Sequence, residues 1–144
     1  MVVLFGGSRV FVSSTSTRRM RAKRILIVED DNELRRFFRM ALTVAGYDVQ
    51  EAGDGVEALR LVDNDPPDLV VLDLMLRALD GISVQQELAS RAYTRHIPIV
   101  VVTGSALELT GLNVACVMRK PVLPDELIKT VATCLLTGAP GAGA

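Results

Sequence analysis

Residues 67–76 read Pro-Asp-Leu-Val-Val-Leu-Asp-Leu-Met-Leu: an apolar run, Leu69 to Leu72, ends on the carboxylate of Asp73 and apolar residues resume at once. An unbroken run of this kind suits a central strand of a parallel sheet covered by helices on both faces. Three other stretches follow the same plan. Ile25 to Val28 runs into Glu29 and Asp30, Ile99 to Val102 into Thr103, and Ala115 to Met118 approaches Lys120. In an open α/β sheet the carboxyl ends of the strands form the ligand-binding edge, so these polar residues are expected to converge there.

Between the strands the pattern is helical. Asp30, Asp31 and Asn32 are N-cap candidates, and Leu34, Phe37, Phe38, Ala41, Leu42 and Ala45 keep a 3.6-residue period up to Gly46. Tyr47 to Ala52 reads as a second strand, and Gly53 to Gly55 as the turn into a helix through Ala58, Leu59 and Val62. Gly81 to Arg91 is helical by pattern, Ser105 to Gly111 leaves room for only a short fourth helix, and Pro124 opens the last, through Leu135. The alternation βαβαβαβαβα predicts one α/β domain, a doubly wound (βα)5 parallel sheet, over residues 24–136.

Bulk properties narrow the function. The 144 residues suffice for one domain with a sizeable core. Net charge is -1, yet the first 24 residues hold six of the 16 basic and none of the 17 acidic side chains, leaving the rest at about −7. An acidic body argues against direct nucleic-acid binding, which needs a basic surface. It suits a site that collects divalent cations. No run has the length of a membrane-spanning helix. Residues 1–23 are expected to be a disordered extension or the product of an upstream start, since Met20 directly precedes RAKRILIVED; a targeting peptide or basic contact arm is the alternative. Residues 137–144 read as a flexible tail. Cys116 and Cys134 lack zinc-ligand spacing and read as two small reduced thiols.

The polar endings have a common chemistry. Glu29, Asp30 and Asp73 are hard oxygen donors of the kind Mg2+ prefers. Two like charges about 5 Å apart repel by roughly 3 kcal/mol at an effective dielectric near 20, so three carboxylates need a cation. An acidic pair after a strand is by itself more often an N-cap cluster, but Asp73 sits between apolar runs, where an unpaired carboxylate is costly. A carboxylate there can attack a phosphoryl group, with a metal and a lysine stabilising the transferring oxygens and Thr103 donating to one of them. Lys120 precedes Pro121, whose peptide bond is open to the cis form.

Taken together, ILIVEDD, PDLVVLDLML, PIVVVTGS and VMRKP resemble the receiver domain of two-component response regulators. The resemblance implies a flavodoxin-like strand order 2-1-3-4-5, Mg2+ as cofactor, and a signalling domain that assists its own phosphorylation and dephosphorylation. In that family the phosphoacceptor corresponds to Asp73, the switch hydroxyl to Thr103 and the lysine to Lys120. The metal is held by residues corresponding to Glu29, Asp30 and Asp73 and by the backbone carbonyl of Met75. Implied partners are a histidine kinase or histidine phosphotransfer protein and a downstream effector protein, in the cytoplasm. With eight residues after Leu136, the expectation is a stand-alone receiver that leaves dimerisation open.

The chain also departs from the family. Val117 stands where an aromatic switch residue is usual, no aromatic follows Tyr93, and Arg77 and Ala78 replace the common Pro and Gly. Arg77 reads either as a solvated loop charge or as a contact that gates phosphodonor access. His96 reads as a surface residue. A receiver fold that binds partners without phosphorylation is the competing reading. A dehalogenase-type aspartyl phosphatase needs a second Asp where Met75 stands, and a flavodoxin-type phosphate loop would meet repulsion from Glu29, Asp30 and Asp31.

Overall fold

The computed structural model describes residues 2–5, 8–11, 21–104 and 111–138. Five parallel strands form the main sheet: β3 (Arg24–Val28), β4 (Asp48–Ala52), β5 (Leu69–Leu72), β6 (Ile99–Thr103) and β7 (Cys116–Arg119). Their order is β4-β3-β5-β6-β7, the expected 2-1-3-4-5 once the strands of this domain are counted alone. Among the described residues four helices flank the sheet: α1 (Asn32–Val44), α2 (Gly55–Asn64), α3 (Gly81–Ser90) and α4 (Pro124–Thr137). The short helix expected over Ser105 to Gly111 falls mostly on residues 105–110, outside the described residues, as does most of the 137–144 tail.

Alternate residues of the central strands feed two cores. On one face Leu26, Val28, Val70, Leu72 and Val101 pack with Ala58, Val62, Val84 and Leu88 of α2 and α3. On the other, Ile25, Ile27, Leu69, Val71, Val100 and Val102 pack with Phe38 and Leu42 of α1 and with Leu127, Val131 and Cys134 of α4. Burial on both faces explains why these strands are continuously apolar in sequence. The edge strand β7 behaves differently: Val117 and Arg119 are exposed and Cys116 and Met118 half-buried, so the apolar run there covers one face only.

Helix ends follow from local chemistry. Asp31 caps α1, its side chain accepting from the backbone N–H of Glu33 and Leu34 at 3.0 Å each. At the other end Gly46 takes φ +101, and the N–H groups of Gly46 and Tyr47 donate to Thr43 and Leu42, a Schellman closure that holds Tyr47 in the turn. The second strand therefore begins at Asp48 rather than Tyr47. Asp54 and Asp80 cap α2 and α3 in the same way.

Within the stretch 1–23, read as disordered, β1 (Val2–Phe5) and β2 (Ser8–Phe11) pair antiparallel as a separate two-stranded sheet. Apolar strands flanking Gly6-Gly7 are a hairpin signal in the sequence. Residues 12–20 lie outside the described residues.

Gly81, the first residue of α3, fixes how closely that helix approaches the end of β5. A Cβ there would lie 2.2 Å from the Asp73 carbonyl oxygen and 2.4 Å from Leu74 Cα. Backbone cannot yield as a flexible side chain can, so Gly81→Ala is expected to cost roughly 1–3 kcal/mol in denaturant unfolding. Gly104 is the contrast: among the described residues its Cβ would meet only Lys120 side-chain atoms, at 3.9 Å, and Gly104→Ala is expected to leave stability within about 0.5 kcal/mol.

Candidate functional site

The strand order reverses direction between β3 and β5, and such a switch point opens a crevice at the carboxyl ends of the strands. Glu29 and Asp30 follow β3 and Asp73 follows β5, so the register that pairs Val28 with Leu72 sets their backbones side by side. Two backbone bonds tie the strand ends together. The Asp73 N–H donates to the Val28 carbonyl at 3.0 Å and the Glu29 N–H to the Ala52 carbonyl at 3.1 Å. One carboxylate oxygen from each of Glu29, Asp30 and Asp73 lies within 4.8 Å of the others.

Lys120 arrives from the far side of the sheet. Its backbone N–H donates to the Thr103 carbonyl at 3.0 Å, coupling the ends of β6 and β7. Neighbouring strands lie roughly 4.8 Å apart, so reaching β5 and β3 from β7 requires a long stem. The lysine chain supplies it, passing over the bare Cα of Gly104. Its Nζ donates to Glu29 Oε1 at 2.8 Å and to Asp73 Oδ2 at 3.2 Å. Asp73 Oδ1 accepts from the Met75 N–H at 3.0 Å, so both oxygens of that carboxylate are oriented. The Lys120–Pro121 peptide is cis.

Glu29 and Asp73 are only 2% and 4% exposed, whereas Asp30 is half-buried. Burial pushes the Glu29 carboxyl up from its ordinary 4.5 to about 8, and the adjacent Asp73 adds to the push against the pull of Lys120. Burial lowers the Lys120 ammonium, but the hydrogen bonds and charges of Glu29 and Asp73 outweigh it and hold the group above the ordinary lysine value. One lysine thus serves two buried carboxylates. The remaining negative charge calls for a proton on Glu29 or a second cation.

Of the residues expected from sequence, Glu29, Asp30, Asp73 and Lys120 come together, and buried Thr103 sits at the end of the adjacent strand β6. Met75 is largely exposed, its N–H turned to Asp73. Arg77, open to two readings from sequence, contacts Asp30, its Nε 3.5 Å from Oδ2. Sequence reasoning missed Arg35, which donates to the Glu29 carbonyl at 2.8 Å and to Asn32 Oδ1 at 2.7 Å, fastening α1 to the end of β3. Its position one turn after Asn32 at the helix start is the signal that could have found it.

The raised Glu29 pKa fixes a sign. Between pH 4.5 and 8 the folded chain binds this proton and the unfolded chain does not, so stability falls as pH rises through that window. In chelator-treated protein the contribution is expected to be roughly 1.4 kcal/mol per pH unit at most, read by denaturant unfolding at several pH values. Glu29→Gln should remove that slope; an unchanged slope would place the titration elsewhere.

Comparison with known proteins agrees with this geometry. A family model described as the response regulator receiver domain matches residues 25–132. The chain is 38% identical over 125 residues to the response regulator MprA of Mycobacterium sp. (strain KMS), covering 83% of this chain and 54% of that protein. It thus spans about half the length of the curated relatives it matches. Among solved structures it is similar to a CheY-like response regulator receiver domain protein from Methanospirillum hungatei JF-1, with a TM-score of 0.75 and 25% identity over 81% of this chain and 95% of that one. It is also similar to a sensor protein from Polaromonas sp. JS666, with a TM-score of 0.74 and 28% identity over 82% and 98%. With the doubly wound sheet and the acidic switch-point crevice, these matches mean that the chain belongs to the response regulator receiver domain family of two-component signalling.

Proposed function

We propose that this receiver accepts a phosphoryl group on Asp73 from a histidine kinase or a histidine phosphotransfer protein in the cytoplasm, and signals by contact with a downstream effector protein. The observation that carries the reading is the Lys120 ammonium held between Glu29 and Asp73, with Asp30 alongside. A buried carboxylate whose two oxygens are oriented by Lys120 and by the Met75 N–H is poised for attack in a fixed direction. In the transfer an Asp73 oxygen forms the O–P bond as the P–N bond to the donor imidazole breaks, the electron pair staying on nitrogen.

The donor set fits Mg2+. It consists of hard oxygens, carries more negative charge than Lys120 offsets, and opens to solvent through Asp30, as suits an ion that keeps several waters. Glu29, Asp30, Asp73 and the Met75 carbonyl would hold the ion, which supplies positive charge to the transferring oxygens. Lys120 contributes a second positive charge beside Asp73, and the Thr103 hydroxyl is the donor expected to meet a phosphoryl oxygen. Asp73 takes on added negative charge when phosphorylated, so Lys120 and Thr103 are the groups through which the change would spread to β6 and β7.

Val117, exposed on β7, favours the second reading, a receiver fold that binds partners without phosphorylation. One experiment separates the two. Incubation with Mg2+ and acetyl phosphate is expected to give one acid-stable, base-labile phosphoryl adduct by mass spectrometry. Asp73→Asn should abolish it. A wild-type chain that takes up no phosphoryl group would support the second reading. Lys120→Ala is expected to retain Mg2+ binding, since the lysine is not a ligand, while the response to phosphorylation fails; loss of Mg2+ binding would show the lysine to be misassigned.

A further inference from the structure

Among the described residues the three carboxylates have two cations paired with them. Lys120 serves the inner pair, Glu29 and Asp73, and Arg77 approaches the outer one, Asp30. The two cations are held very differently. The Lys120 side chain is 24% exposed and hydrogen-bonded to two buried acceptors, whereas that of Arg77 is 83% exposed with a single contact at 3.5 Å. Arg77 lies in the loop between β5 and α3, immediately before Ala78 at φ +65. That left-handed conformation is uncommon for a residue with a Cβ and persists only where the surroundings impose it. It belongs to the wall of an open polar cleft of about 280 Å3, lined also by Asp30, Arg35, Asp54 and Arg77.

Building on the Mg2+ reading above, we propose that Arg77 is a displaceable counter-ion: it occupies Asp30 in the metal-free site, leaves when Mg2+ binds, and so sets the metal affinity. A dication entering this crevice must share Asp30 with a guanidinium or expel it. Lys120 is the wrong group to leave, because its departure would strand two buried carboxylates side by side. Arg77 can move into the solvent that already surrounds it.

The test is calorimetric titration of the full chain with MgCl2 at low ionic strength, in wild type, Arg77→Gln and Arg77→Lys. Arg77→Gln is expected to bind Mg2+ roughly two- to fivefold more tightly, the range an exposed ion pair can account for, and Arg77→Lys to stay near wild type. The gain should shrink below about 1.5-fold in 0.5 M KCl, because exposed charges are screened. Equal or weaker binding by Arg77→Gln would overturn the counter-ion role while leaving the metal site standing. Absence of Mg2+ binding in all three proteins would overturn both. Unfolding of the chelated proteins supplies the structural control: a purely structural Arg77 would lower stability in Arg77→Gln without a salt-dependent change in Mg2+ affinity.

Discussion

The Lys120 bridge between Glu29 and Asp73 is the interaction on which the site depends. Two carboxylates at the ends of adjacent strands, both almost wholly buried, would repel if both were ionised, and the Lys120 ammonium offsets that repulsion. The lysine reaches them from β7, so the pair forms only when β3, β5, β6 and β7 are all in place. Folding and chemistry are therefore coupled at one ammonium group. A change in charge on Asp73 acts directly on the group that links it to the edge of the sheet.

Around that bridge the negative charge is left incompletely balanced. Glu29 answers by holding its proton to about pH 8, and Asp30 by drawing in Arg77. Both are weak substitutes for a divalent cation, one removable by a rise in pH and the other by a small movement of an exposed side chain. On the proposed Mg2+ reading, a site compensated in this way stays accessible to the metal. Gly81 completes it sterically, by allowing α3 to sit against the Asp73 backbone.

Much of this was legible in the sequence because the central strands are buried on both faces. Leu69 to Leu72 and Ile99 to Val102 could hardly be anything else, and their polar endings marked Asp73 and Thr103 at once. Glu29, Asp30 and Lys120 followed from the same logic. Where burial is one-sided the reading weakened: Ala115 to Met118 looked like a central strand, yet β7 is an edge with Val117 exposed. The contact between Arg77 and Asp30 was open because it depends on loop geometry around a left-handed Ala78, which no periodicity encodes. The hairpin of β1 and β2 was missed although Gly6-Gly7 between two apolar stretches signals one.

Asp73, oriented by Lys120 beside an acidic cluster, is the proposed phosphoryl acceptor. The most direct measurement is a crystal structure of the chain grown with Mg2+ and beryllium fluoride, a stable mimic of the acyl phosphate. The expected result is beryllium bonded to an Asp73 carboxylate oxygen, Mg2+ among Glu29, Asp30 and Asp73, and the Lys120 ammonium within hydrogen-bond distance of a fluorine. Beryllium fluoride bound elsewhere, or an Asp73 still unmodified and paired only with Lys120 while Mg2+ occupies the cluster, would contradict it.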